Sequence, residues 1–189
     1  MNADLLVYQA KAFYNAYIAL DQLSRDDSDT LLLLFAPLVV NGAFSVELAL
    51  KAILAKNQIE YGKEHNLLIL FQMLPKSFQQ ELWAYLIEKA PEYAGSEKGL
   101  DELILLSNAF VDWRYAFEGK PVPAIESRFL AAFANAAVHT VFSYYNADLL
   151  PATKTESNNE IEQRVHENRE KCKEINLKMI QKKTKEHQL

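Results

Sequence analysis

Four short groups of polar residues carry the side chains from which chemistry could be built. In Phe44-Ser45-Val46-Glu47-Leu48-Ala49-Leu50-Lys51, Glu47 and Lys51 stand four positions apart. That is one helical turn, so a carboxylate and an ammonium can neutralise each other at the edge of an apolar core. In His65-Asn66-Leu67 a histidine and an asparagine precede an apolar run. Either can cap a helix start, and an imidazole is the side chain that changes charge near neutral pH. In Trp113-Arg114-Tyr115-Ala116-Phe117-Glu118, Arg114 lies off the apolar stripe and one turn from Glu118. Its guanidinium can pair with that carboxylate, stack on neighbouring rings or meet a phosphate. Arg128, Asn135 and His139, at spacings of 7 and 4, form a polar line beside an apolar helix face. No nucleophile accompanies them.

Other chemistries are not written in the chain. It has no Walker loop, dinucleotide fingerprint, HExxH or GxSxG. Its single cysteine, Cys172, provides neither a disulfide nor metal-ligand spacing. A lone histidine without a second ligand in range does not make a metal site, so no metal and no cofactor is expected. With 20 Lys and Arg against 25 Asp and Glu the net charge is −5, far from the basic footprint of a dedicated nucleic-acid binder. The start Met1-Asn2-Ala3-Asp4 lacks the basic opening of a signal peptide. A cytoplasmic location is the expectation.

The elements that position these groups read as helices throughout. Only 5 Gly and 6 Pro interrupt 189 residues, half of them apolar, which argues against a turn-rich sandwich or barrel. A first helix is predicted from about Ala3 to Leu23. The acidic run Asp26 to Thr30 separates it from a second, roughly Leu31 to Lys56, bending or beginning near Pro37. The twenty residues Leu31 to Leu50 hold one charge, Glu47, and are long enough to cross a bilayer. Asn41, Ser45 and Glu47 within them favour the centre of a helical bundle instead, and no membrane is expected. Short helices follow around Asn66 to Leu74 and Ser77 to Lys89, the latter opening on a Ser77/Gln80 capping box. Leu103, Leu106, Phe110, Trp113 and Phe117 mark one helix from about Leu100 to Glu118. The last, from about Ala124 to Asn146, runs through Ile125, Phe129, Phe133, Ala137, Val141 and Tyr144. The prediction is an all-α, up-and-down bundle of about five helices over residues 1–150.

Residues 151–189 differ in character. They hold 9 Lys and Arg against 7 Asp and Glu, whereas 1–150 hold 11 against 18. Ile161, Val165, Asn168, Cys172, Ile175 and Met179 follow a short a/d seam. A linker, Pro151 to Asn159, therefore leads into a charged C-terminal helix. That helix either lies solvated on its own domain, partly frayed, or pairs with a second copy of the chain.

The order of these pieces resembles the HEPN family, named for higher eukaryotes and prokaryotes nucleotide-binding. The likeness lies in FSVELALKAIL on a long helix, HNLLILFQML after a loop, and VDWRYAFE at the end of a late helix. It covers roughly residues 5–148. It implies an α-helical bundle, often dimeric, and in many members a metal-independent endoribonuclease. Those enzymes use an arginine followed four to six residues later by a histidine at a dimer cleft. Arg114 matches the arginine, but positions 119 to 121 hold Gly119, Lys120 and Pro121. Gly and Pro cannot transfer a proton, and Lys120 can hold phosphate but is a poor general base.

The resemblance thus implies a HEPN scaffold without the nuclease motif. The expected protein is a non-catalytic homodimer that binds a protein partner, a nucleotide or RNA through Arg114, Lys120 and Arg128. Glu47, Lys51, Asn66 and Glu118 serve as structural polar groups. By family analogy its setting is a toxin–antitoxin or defence system. A divergent ribonuclease joining Arg114 to His65 or His139, and an oligomerisation module driven by the tail, are the alternatives.

Overall fold

A computed structural model describes residues 3–25, 28–94, 97–118, 121–145, and 167, 170 and 174; for 28–33 and 117 it describes the backbone alone. The chain divides into two compact units, Met1–Ala147 and Asp148–Leu189. Of the second, Glu167, Glu170 and Glu174 are helical and exposed. The a/d seam expected there lies otherwise outside the described residues.

The first unit is all-helical, with no strand among its described residues. Helices α1 (Ala3–Arg25) and α2 (Ser28–Lys56) are joined by two residues, and their extensive packing requires them to run antiparallel. They are followed by α3 (Leu67–Met73), α4 (Lys76–Lys89), α5 (Glu97–Leu106), α6 (Ala109–Arg114) and α7 (Ser127–Tyr145). Helix α2 is the axle: α1, α3, α6 and α7 all pack on it, and α4 packs on α7.

The segment Leu34–Lys56 is long and apolar enough to span a membrane, yet 78% of its most apolar window is buried within the fold. Leu38, Val39, Val46, Leu50, Ile53 and Leu54 are spent on neighbouring helices, where leaving water stabilises each by about 1.5–3 kcal/mol. Gly42 permits the close approach. A Cβ there would meet Leu130 at 3.0 Å and Tyr17 at 3.1 Å, so α7 and α1 sit against its bare backbone. Pro37 lies inside α2 rather than at its start. On α7, alanines 132, 134, 136 and 137 are buried between Phe129, Phe133 and Val141, and small side chains let that helix pack on more than one side. The Tyr145 hydroxyl donates to the Ala52 carbonyl at 3.0 Å, tying α7 to α2.

Two local expectations fail. Helix α4 starts after Pro75 with no side-chain cap, and instead of a Ser77 capping box the Gln79 amide donates to the carbonyls of Gln72 and Leu74. The late helix is not continuous from Leu100 to Glu118. It breaks at Ser107 and Asn108 into α5 and α6, and ends at Arg114 before a 3₁₀ turn over Ala116–Glu118. The break has a tertiary cause. The Ser107 carbonyl accepts the Leu67 amide at 2.7 Å, and the Val111 amide that would otherwise reach it bonds to Asn108 instead.

Candidate functional site

The middle of α2 buries a charge. Glu47 is 1% exposed and Lys51 8%, and the Lys51 ammonium donates to Glu47 Oε1 at 2.7 Å. The His65 Nδ1 lies 2.9 Å from the same oxygen. A carboxylate stripped of water must be compensated by partners of this kind. Its other oxygen, Oε2, is buried with no hydrogen-bond partner among the described residues. Tyr61 borders the group, its ring 5.4 Å from the Lys51 ammonium. Burial, and then the nearby Glu47 charge, push the Tyr61 phenol above its ordinary pKa.

His65 is half exposed, its side chain 49% accessible. When Nδ1–H donates to Glu47, the neutral ring presents Nε2 as an acceptor. The loop that carries it is pinned locally. The amides of His65 and Asn66 both donate to Glu64 Oε1, at 2.9 and 2.8 Å. Asn66 is the cap: its Oδ1 accepts the Ile69 amide at 3.0 Å. Its Nδ2 donates to Asn108 Oδ1 at 3.1 Å. With the bond from Leu67 to Ser107, this fastens the start of α3 to the junction of α5 and α6.

That junction sets Phe110 beside His65, ring centroids 6.3 Å apart. Phe110 stacks on Phe44 at 4.3 Å, and Phe44 meets Phe13 edge-on at 4.6 Å. The exposed Arg114 guanidinium lies 4.8 Å from the Phe110 ring and 4.7 Å from Tyr115. With Arg114 at 4.8 Å and His65 at 6.3 Å from the centre of the Phe110 ring, the two are at most about 11 Å apart. The expected pair with Glu118 is not formed among the described residues. Helix α6 ends at Arg114, so Glu118, on the following 3₁₀ turn, no longer stands one α-turn along the same face. Gly119 and Lys120 lie outside the described residues.

The structure does not bring Arg128 or His139 to this face. Arg128 is held by Glu92, Nε to Oε1 at 2.6 Å, and His139 stacks on Tyr85 at 3.9 Å and 9°. Arg128 and Asn135 line one cavity of about 480 Å³, and Asn135 and His139 an adjoining one of about 260 Å³, between α1, α4 and α7. Sequence reading overlooked Tyr61, Phe110 and Tyr85 as supports. Phe110 was legible only as part of an apolar stripe, and nothing in the sequence pairs Tyr85 with His139. Among the described residues no group of three or more His, Cys, Asp or Glu is arranged to hold a metal ion.

Comparison with curated proteins and with solved structures returns no match. Residues 38–127 match the family model of the HEPN domain. That span begins in the core of α2, takes in His65 and Arg114, and closes at the first residue of α7. The family ties the chain to nucleotide- or RNA-related function in general. The segment that builds the Glu47, His65 and Arg114 face is thus the part of the chain that matches the HEPN domain.

Proposed function

We propose that the Arg114 face binds the phosphate of RNA or of a nucleotide, in a HEPN module that works as a cytoplasmic homodimer without nuclease activity. The observation that carries this reading is the exposed Arg114 guanidinium. It lies on two aromatic rings and meets no carboxylate among the described residues. Stacking fixes the plane of the fork and leaves its N–H donors for an anion. The non-catalytic part rests on the sequence after Arg114, where Gly119 and Pro121 occupy positions that call for a histidine. Support for the homodimer comes from Leu100, Ile104 and Leu105 of α5, which are 43 to 48% exposed and suit burial against a second copy or another protein. By family analogy the setting is a toxin–antitoxin or defence system.

A second reading is favoured by one observation. His65 is oriented by a buried carboxylate and flanks the same ring as Arg114, the arrangement of a histidine base and its orienting group. In that reading Arg114 holds the phosphodiester and His65 Nε2 takes the 2′-hydroxyl proton. The 2′-oxygen then bonds to phosphorus as the bond to the 5′-oxygen breaks.

Incubating the full chain with tRNA and mixed RNA in metal-free buffer, alongside equilibrium RNA binding, tests both. The proposal expects binding that weakens about ten-fold or more in Arg114→Ala, with no cleavage. Robust cleavage abolished by both Arg114→Ala and His65→Ala would replace it with the second reading. Absence of RNA and nucleotide binding would overturn both.

A further inference from the structure

The groove between α1, α4 and α7 is built from rings and cations. Tyr14, Tyr85 and Asn135 line both of its cavities, about 480 and 260 Å³, and the larger falls within the range of small-ligand sites. The Asn135 amide donates to the Tyr14 hydroxyl at 2.6 Å, fixing one wall. On the other wall His139 lies flat on Tyr85, 3.9 Å between centroids and 9° from parallel. His139 is exposed while Tyr85 is half-buried. The stack therefore offers one imidazole face to solvent on a ring that cannot swing away without losing its partner.

Charge along the groove is uneven. At one end Arg25 is matched by Asp21 at 2.7 Å and Arg128 by Glu92 at 2.6 Å. Lys89 is matched by Glu88 at 2.8 Å. Lys11, at the end beside His139, is different. Its ammonium stands 5.3 Å from the Tyr14 ring and 5.9 Å from Phe142, with no carboxylate against it among the described residues. An exposed planar ring beside an unneutralised cation is the pairing that holds unpaired bases, which stack by their faces while the backbone meets positive charge. Duplex, whose base faces are already stacked, cannot use it.

We propose that this groove is a second site, separate from Arg114, which takes an unpaired nucleobase with its phosphate from a single-stranded nucleic acid. The base stacks on His139 and the phosphate meets Lys11.

The test uses the full chain and oligonucleotides of about ten residues as single-stranded RNA, single-stranded DNA and duplex RNA, each read by fluorescence anisotropy. Uracils replaced by 5-iodouracil allow cross-links to be mapped to peptides. The expected result is binding of single strands over duplex, with cross-links on the peptides holding Tyr85 or His139. His139→Ala and Lys11→Glu each weaken binding at least about five-fold, and His139→Phe, which keeps a stacking face, retains most of it. Both positions are exposed, and unchanged thermal unfolding establishes that the variants fold. Loss in Arg114→Ala alone, with cross-links elsewhere, would overturn the groove and leave the Arg114 reading intact. Loss in His139→Ala and Lys11→Glu alone would do the reverse. Equal losses in His139→Phe and His139→Ala would exclude stacking and the proposal with it. The RNA and DNA arms identify which strand the groove takes.

Discussion

His65 and His139 belong to the same bundle and are held in opposite ways. His65 reaches inward to a carboxylate that α2 carries through the core, so its orientation depends on charge in a place where charge is costly. His139 lies outward on a half-buried tyrosine, fixed by ring contact and exposed to solvent. The first arrangement suits proton handling, because a carboxylate selects the tautomer. The second suits recognition of a flat ligand. One consequence is a difference in cost: disturbing the first site disturbs the fold, and disturbing the second does not.

The sharpest way to break that contrast is Glu47→Ala. It leaves the buried Lys51 ammonium without its partner and should cost roughly 3–5 kcal/mol in denaturant unfolding. Glu47→Leu combined with Lys51→Met, which removes both charges, should recover most of the loss. A cost below about 1 kcal/mol for Glu47→Ala would mean the charge pair does not hold the core.

Next in size is an alkaline effect on the core face of α7. Burial first, then the Asp4 charge, raise the Tyr145 phenol to about 12. The unfolded phenol ionises near 10, so between those values the unfolded chain has shed a proton that the folded one keeps. Stability is therefore complete below about pH 10 and falls as pH rises toward 12. Burial raises the Tyr17 and Tyr93 phenols as well, so Tyr145→Phe should lessen that decline without abolishing it, at a fixed loss of about 1 kcal/mol for the bond to Ala52. Thermal unfolding at pH 9 and above measures both, and an equally steep decline in the variant would show that the phenol does not cause it.

A smaller effect is expected from Asn66→Ala, which removes the cap of α3 and its link to Asn108. The cost should be about 1 kcal/mol, together with a shift of the His65 ring resonances as the loop loosens. Unmoved resonances would show that Glu64 and Glu47 suffice to place His65. Smallest is His139→Ala, where an exposed ring leaves a half-buried one. Calorimetry should find a change within about 0.5 kcal/mol, and a loss as large as that of Glu47→Ala would erase the contrast between the two histidines.

Much of this was legible without a structure because it is local. The spacing of Glu47 and Lys51 places them one turn apart on any α-helix, and Asn66 before Leu67 is a cap in any context that lets α3 form. The scarcity of Gly and Pro and the apolar run through α2 made the all-helical fold and its central helix readable from composition and period alone. The late helix was misread because periodicity cannot see a rival for a carbonyl. Leu67, forty residues earlier in the chain, takes the bond that continuity at Ser107 would have needed. A separate local event, the end of α6 at Arg114 before a 3₁₀ turn, removes the α-turn relation of Arg114 to Glu118, and the guanidinium lies on rings instead.

The sequence by itself determined the all-helical class, the one-turn spacing of the charges on α2 and the absent histidine after Arg114, since these depend on neighbours within a turn or on residue type. Only the tertiary structure decided that His65 shares a ring with Arg114, that His139 belongs to Tyr85 and that Arg128 belongs to Glu92. Those pairings join residues far apart in the chain, and they exist only once α2, α4 and α7 have packed.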